Sequence, residues 1–195
     1  EGSALIDAAV EFSGSRGALR KKFRDPEERE KSAQSFFSAV IPSVDMEDFS
    51  LENLEERSKP FRVTMKGGSF GLATPGNNRL LFRTALVTSE AWEYIRYPSR
   101  KHPLVIREAV LEDDLYEYHL PAGTGAMPPP ADFSVKGRFG EAELSLRGDA
   151  ARRVVTVKKK IHVKRGVIRP RDYADFLEFC MKIKDAEYRN VSAGL

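Results

Sequence analysis

The first half of the chain combines a strand pattern with a helix pattern. Residues 4–12 alternate apolar and other side chains, which predicts a half-buried strand. After a break that contains two glycines, apolar residues from Ala18 to Val40 recur among many charged ones, which predicts an amphipathic helix closed by Pro42. Residues 89–95 fit either a short helical turn or an irregular segment. Strands are predicted at residues 44–51, 61–65 and 79–87, with a turn-rich loop at 73–78.

The second half has clearer alternation and shorter connections. Two strands are predicted at 103–110 and 115–121, separated by an acidic turn, Glu112-Asp113-Asp114. A terminal helix is predicted from Pro170 to about Arg189. Between them lies a meander of three strands, at 132–139, 142–147 and 152–165. The fold class predicted is α+β, mostly β, with antiparallel, β-sandwich-like sheets on which a helix from the N-terminal half and the C-terminal helix pack.

The proline-rich segment 96–103 predicts an internal boundary. It divides the chain into a strand–helix–strands subdomain, residues 1–100, and an antiparallel meander with its C-terminal helix, residues 101–195. One continuous domain remains the alternative. The sequence begins at Glu1 without a methionine or an apolar leader, so we expect it to be a piece of a longer protein, with the first subdomain continuing from an upstream core.

The composition of the chain argues against several classes of function. The 32 basic and 29 acidic residues nearly balance, unlike the charge of a dedicated nucleic-acid binder, so no nucleic-acid partner is predicted. No apolar run approaches the roughly 20 residues of a membrane-spanning helix. The single cysteine excludes an intramolecular disulfide and a multi-cysteine zinc site. The histidines His102, His119 and His162 have no metal-binding spacing, so no metal or other cofactor is predicted.

A short glycine-rich stretch offers one candidate nucleophile. Residues 67–71 match G-x-S-x-G, in which a serine, here Ser69, sits on a sharp turn between a strand and a helix. A strand does precede it, but the following LATPGNN cannot form a helix. A glycine-rich hairpin loop is therefore favoured, and a small hydrolase that uses Ser69 is kept as an alternative.

The most basic strand, 152–165, offers a candidate anion site. Alternation places its valines and Ile161 on one face, with Lys159 as an exception on that apolar side. The basic face can bind phosphates or polyanionic glycans. An outer sheet face or a lysine-protected edge strand is the favoured interpretation, because the whole chain is nearly balanced in charge. The candidate anion-binding residues are Arg152, Lys158, Lys160, His162 and Lys164.

Cys180, the only cysteine, lies on the terminal helix. Helical spacing places it in the middle of an apolar stripe with Tyr173, Phe176, Leu177 and Ile183. It lies far from the helix N-terminus and has no cation on its own face, so nothing predicts a reactive thiolate. We expect it to be a core residue.

The order of these features resembles the C-terminal part of large bacterial transglutaminase-like proteins. The resemblance rests on Gly14 to Arg20 after the first strand, on Arg107-Glu108, on YHLPAG at 118–123, and on the ending RPRDYADFLEFCMKIKDAEY. In that family a papain-like core with catalytic Cys, His and Asp precedes a C-terminal domain of unknown function. No position here matches the catalytic motifs, so the resemblance implies that they lie upstream.

The resemblance implies a non-catalytic accessory module in the bacterial periplasm, in the cell envelope or outside the cell. Its expected partners are the upstream transglutaminase-like domain of the same polypeptide and a protein or glycan. We therefore expect scaffolding or binding rather than enzymatic activity, with the Ser69 hydrolase and the anion-binding strand 152–164 as alternatives.

Overall fold

The computed structural model describes residues 4–12 and 14–194, with the side chains of residues 14–18 left aside. The chain forms two compact units, residues 1–74 and residues 75–195. The boundary expected near residue 100, in segment 96–103, falls inside the second unit. Among the described residues no helix is long and apolar enough to cross a membrane.

The first unit is a three-stranded antiparallel sheet with helical segments. Strands β1 (Ala4–Phe12), β2 (Val44–Glu52) and β3 (Phe61–Ser69) pair in the order β1-β3-β2. Every second residue of β3 from Phe61 is buried, as the alternation predicts. Its buried side chains form a core with residues of the helical segments, and these core residues are Phe12, Phe23, Ala33, Phe37, Ile41, Val44, Phe61, Val63 and Met65.

The helix predicted from Ala18 to Val40 is broken in the structure. Residues Gly14–Phe23 and Pro26–Glu28 form 3-10 helices, and only α1 (Arg29–Ser38) is α-helical. Asp25 interrupts the run because its carboxylate accepts a hydrogen bond from the backbone N–H of Glu27, which starts a new turn with Pro26 at its first position. The amphipathic pattern thus located the segment but not its breaks.

The second unit is organised by a four-stranded antiparallel sheet. Strands β7 (Val110–His119), β8 (Ala131–Gly137), β9 (Gly140–Asp149) and β10 (Val154–Val163) pair in the order β7-β10-β9-β8. The predicted meander of three strands corresponds to β8, β9 and β10 and is confirmed. Helix α2 (Tyr173–Glu187) contacts β8 and β9, and its apolar stripe joins the inner face of the sheet in one core.

Two smaller antiparallel sheets are also formed. Strands β6 (Leu104–Ile106) and β11 (Gly166–Ile168) form one antiparallel pair. Strands β4 (Ala73–Gly76), β5 (Arg79–Arg83) and β12 (Asn190–Gly194) form the other, in the order β12-β5-β4. A 3-10 helix at Glu90–Ile95 resolves the open interpretation of residues 89–95 in favour of a helical turn. The expectation of a mostly β α+β chain with antiparallel sheets and two α-helices is confirmed for the described residues.

Two predicted boundaries are wrong. The acidic run Glu112-Asp113-Asp114 is not a turn, because β7 continues through it and pairs without interruption with β10. Of the strand predicted at 103–110, only Leu104–Ile106 form a separate strand, β6, and Val110 begins β7. The predicted loop 73–78 contains strand β4, because Pro75 lies within the strand and only Asn77 and Asn78, both with positive φ, form the turn to β5.

Cys180 occupies the interior of the second unit, as the helical stripe predicts. The residue is 0% exposed, and burial raises the pKa of its thiol to about 12. Glu178 and Lys182, spaced i, i+4, form an ion pair on the outer side of α2, with 2.7 Å between Oε1 and Nζ. The stripe extends further than predicted, because Phe179 and Glu187 are buried too.

We expect the Cys180 thiol to react slowly with a thiol reagent in the native protein and fast in denaturant, because burial shields it and keeps it protonated. The rate of labelling, followed by mass spectrometry with and without urea, checks this. Rapid labelling of the native chain would contradict the packing of α2 on the sheet.

Candidate functional site

A lysine is fully enclosed in the core of the second unit. Lys159 lies on β10, on the same face as Val157 and Ile161, and its side chain is 1% exposed. A buried lysine is rare, and its ammonium group needs partners. Moving an unpaired ion from water into a protein interior costs on the order of several kcal/mol. Because the strand pattern buries Lys159, anionic groups are expected next to its ammonium group.

Three carboxylates surround the ammonium group. Its Nζ lies 2.8 Å from Oδ2 of Asp114, 3.0 Å from Oε1 of Glu187 and 3.3 Å from Oε2 of Glu112. The backbone carbonyl of Val87 accepts a further hydrogen bond from Nζ at 2.9 Å. We call these residues, together with Tyr116, the Lys159 cluster. All of them belong to the second unit.

Strand β7 supplies two carboxylates because of its alternation. Glu112, Asp114 and Tyr116 occupy every second position of β7 and so point to the inner face. In the β7–β10 register, Asp114 is directly opposite Lys159. The phenol of Tyr116 donates a hydrogen bond to Oδ2 of Asp114 at 2.9 Å, and burial raises the pKa of this phenol.

The third carboxylate is that of Glu187, the last residue of α2. Residues 84–89, which precede the 3-10 helix Glu90–Ile95, hold it in place. The backbone N–H of Ser89 donates to Oε1 of Glu187 at 3.0 Å. The hydroxyl of Thr84 donates to the carbonyls of Ala186 and Glu187, at 2.7 and 2.9 Å, at the helix C-terminus. The hydroxyl of Ser89 also donates to Oε1 of Glu112 at 3.0 Å. The cluster therefore connects β7, β10, α2 and this segment.

One ammonium cannot balance three carboxylates, of which Glu187 and Glu112 are 1% and 8% exposed and Asp114 is 30% exposed. Burial raises the pKa of the Glu187 carboxyl, and Lys159 only partly opposes that effect. Burial alone would lower the pKa of Lys159, but the anionic groups around it outweigh this and raise the pKa. We conclude that the lysine keeps its proton and that Glu187 is the carboxyl most ready to bind one.

A small pocket lies beside the cluster. Its empty volume is about 160 Å³, part of it open to solvent, and Lys159 and Glu187 line it together with apolar side chains. Among the described residues, Oε2 of Glu187 is a buried oxygen without a hydrogen-bond partner. Burying this oxygen without a partner costs more free energy when the carboxyl is ionised than when it is protonated and Oε2 carries the hydrogen.

The residues predicted to bind anions lie on the opposite, solvent-facing side of the same sheet. Lys158, Lys160 and His162 project from β10, while Arg152 and Lys164 fall just outside the strand. Carboxylates interleave with them. Lys160 pairs with Asp113 at 3.1 Å, and Glu141 and Glu143 lie opposite His162 and Lys160 on β9. The face therefore carries mixed charge, and anion binding stays a prediction.

The glycine-rich stretch around Ser69 has a structural explanation. Strand β4 and not a helix follows it, and the Ser69 hydroxyl is buried and donates to the carbonyl of Pro42 at 2.5 Å. Gly67 faces the β2 strand where the register shifts, and a Cβ atom there would lie 2.1 Å from the carbonyl oxygen of Asp45. The glycine thus permits a close approach of two strands.

The sequence signals for the cluster were present but separate. The strand pattern marks Lys159 as an exception on an apolar face, but it predicts a turn for Glu112 and Asp114 and gives no signal for Glu187. Alternation through the acidic run, with Val110 and Tyr116 on the same face, was the signal that could have found them. Within the described part of the chain, no group of side chains is suited to hold a metal ion.

The region that contains the cluster is a recognised domain. A family model for a domain of unknown function, DUF3858, matches residues 78–192. The chain belongs to the DUF3858 family. The match covers the four-stranded sheet, α2 and every member of the Lys159 cluster, and it leaves the first unit outside. Neither a search of curated proteins nor a search of solved structures returned a match for the chain.

Replacing Lys159 should destabilise the DUF3858 domain strongly. Lys159→Met removes the ammonium and leaves buried carboxylates uncompensated, for which we expect a loss of about 3–5 kcal/mol in the free energy of unfolding. Urea denaturation measures it. The matched control is Lys160→Met, which removes an exposed pair on the same two strands and should cost about 0–1 kcal/mol. Equal effects of the two substitutions would contradict the role of the cluster.

Glu187 should make stability depend on pH in a defined direction. Because its folded pKa is raised above the unfolded value of 4.5, the folded state binds more protons, and the free energy of unfolding falls as pH rises from about 4.5 through the folded pKa. Glu187→Gln stays neutral and keeps the acceptor oxygen, so its stability should fall less over that range. The difference between the two proteins, measured by urea denaturation at several pH values, isolates this contribution. A difference that stays constant with pH would show that Glu187 is not protonated.

Proposed function

We propose that the chain is a non-catalytic accessory module of a bacterial transglutaminase-like protein, and that its DUF3858 domain binds or scaffolds a partner through the outer face of its sheet. The observation that carries this proposal is a solvent-facing row on β7. Leu111 and Leu115 are 68% and 61% exposed, and they flank Asp113 on the outer face. Large apolar side chains grouped with charges on a flat sheet surface are typical of binding surfaces.

The two faces of the sheet differ in a way that supports binding by the outer one. The inner face is covered by α2 and filled by the core and the Lys159 cluster. The outer face carries Lys158 and Lys160 between the carboxylates of neighbouring strands. A surface with both signs of charge and two leucines suits a protein partner of mixed charge better than a polyanion.

The two candidate nucleophiles, Cys180 and Ser69, both have structural roles. Cys180 lies in the core with a raised thiol pKa, and the Ser69 hydroxyl donates to a carbonyl in the first unit. These placements favour a binding module over a hydrolase that uses Ser69. In the proposed setting the catalytic Cys, His and Asp belong to the upstream transglutaminase-like domain. The module would position that domain or determine which partner it binds.

The proposed location is the bacterial periplasm, the cell envelope or the exterior, and it rests on the resemblance to transglutaminase-like proteins. The proposed partners are the upstream domain of the same polypeptide and an external protein or glycan. No cofactor enters the proposal.

The binding surface can be tested with the upstream domain produced as a separate polypeptide. We expect it to bind this chain, and we expect Leu115→Lys to weaken binding at least tenfold, because the charge would be buried in the interface. The control is Val167→Lys on β11, which is also 61% exposed but lies in a different sheet. Calorimetry measures both affinities.

Three outcomes would contradict the proposal. The first is equal binding by the Leu115 and Val167 variants. The second is hydrolysis or transamidation by this chain alone, which Ser69→Ala would trace to the alternative hydrolase. The third is tight, salt-dependent binding of heparin that Lys158→Gln and Lys160→Gln abolish, which would favour the anion-binding alternative.

A further inference from the structure

The Lys159 cluster holds an amine and a carboxyl group in contact inside a sheet. Lys159 and Asp114 are cross-strand partners on β10 and β7, and Nζ lies 2.8 Å from Oδ2. Because Oδ2 is bonded to Cγ, contact at this distance brings the nitrogen close to the carboxyl carbon. Fixed reacting groups gain the equivalent of a very high local concentration, of the order of 10⁵ M or more in well-oriented cases.

We propose that Lys159 and Asp114 condense to an intramolecular amide bond between Nζ and Cγ, so that β7 and β10 become covalently cross-linked. The cluster contains what this reaction needs besides proximity. Water is excluded from the amine and from Glu187, whose side chains are each 1% exposed, whereas the Asp114 side chain is 30% exposed. The phenol of Tyr116 donates to the Asp114 carboxyl and stabilises negative charge that develops on its oxygen.

Glu187 is placed to move the protons. Its Oε1 lies 3.0 Å from Nζ, and its second oxygen is buried without a hydrogen-bond partner in the described structure. The three carboxylates keep Lys159 charged for most of the time, and an ammonium is not a nucleophile. Transfer of one proton from Nζ to a carboxylate in direct contact creates a neutral amine and a neutral acid, and in a buried site this transfer does not separate charge. We therefore expect a slow, single event and not a fast reaction.

The step balances without any further reactant. The lysine ammonium passes one proton to the Asp114 carboxylate, and the free amine attacks Cγ to form the N–C bond. Glu187 takes a second proton from the nitrogen and returns it to the leaving oxygen. The C–O bond breaks, and the oxygen leaves as water with both protons. One ammonium and one carboxylate become one neutral amide and one water, and Glu187 ends as it began.

The same two strands carry a matched pair that should not react. Lys160 and Asp113 are also directly opposite and lie 3.1 Å apart, but their side chains are 63% and 72% exposed. In water both groups stay hydrated and charged, and so does the exposed Glu143, which lies opposite Lys160 on β9. The two pairs therefore separate the effect of burial from the effect of distance.

Intact-mass measurement of the full chain under denaturing conditions tests the proposal directly. After prolonged incubation in the folded state, we expect a mass lower by one water than the sequence requires. Fragmentation after proteolysis should then give one branched peptide that joins Asp114 to Lys159. A folded chain that keeps its full mass would overturn the proposal, as would a cross-link from Lys159 to Glu112 or Glu187.

Variants assign the roles. Asp114→Ala should keep the full mass, and the control Lys160→Met should lose one water as the unmodified sequence does. Glu187→Gln, which keeps the acceptor oxygen but cannot relay a proton, should slow the loss of water at least tenfold. Loss at an unchanged rate in Glu187→Gln would overturn the relay by Glu187. Loss of water in Asp114→Ala would overturn the proposed bond. Because the main result comes from the unmodified chain, it does not depend on any variant folding.

Discussion

The DUF3858 domain depends on the balance of charge around one buried lysine. Lys159 needs anionic partners because it cannot reach water, and each carboxylate that meets this need is itself costly to bury. The result is a set of contacts that no single element can make alone. Strands β7 and β10 bring Lys159 to Asp114 and Glu112, and the set is complete only when the end of α2 and the segment through Val87 and Ser89 are also in place. The cluster thus specifies one arrangement among many apolar packings.

Hydrophobic periodicity predicted the elements whose two sides differ most in polarity. The meander of β8, β9 and β10 followed from simple alternation, and α2 followed from the spacing of Tyr173, Phe176, Cys180 and Ile183. The same reasoning assigned Cys180 to the core, where the structure places it. In these segments the burial pattern is local, so a window of a few residues contains the information that decides it.

The Lys159 cluster could not be predicted in the same way because its contacts are distant in sequence. Three consecutive acidic residues are typical of a turn, since carboxylates normally face solvent. Glu112 and Asp114 face inward only because a lysine on another strand receives them, and Glu187 joins only when α2 packs on the sheet. Likewise, the break in the first helix depends on the side chain of Asp25, which apolar periodicity does not register. Pairing of charges across elements is a tertiary property.

The run of three lysines on β10 has a consequence for how its register is selected. Lys158, Lys159 and Lys160 are chemically equal, so the lysines themselves do not distinguish the native alignment from one shifted by a single residue. The flanking residues do, because such a shift would turn Val155, Val157, Ile161 and Val163 from the core to solvent. The valines and the isoleucine therefore set the register of β10, and the register determines which of the three lysines is buried. Apolar side chains, which carry no charge themselves, thus decide which lysine meets the carboxylates.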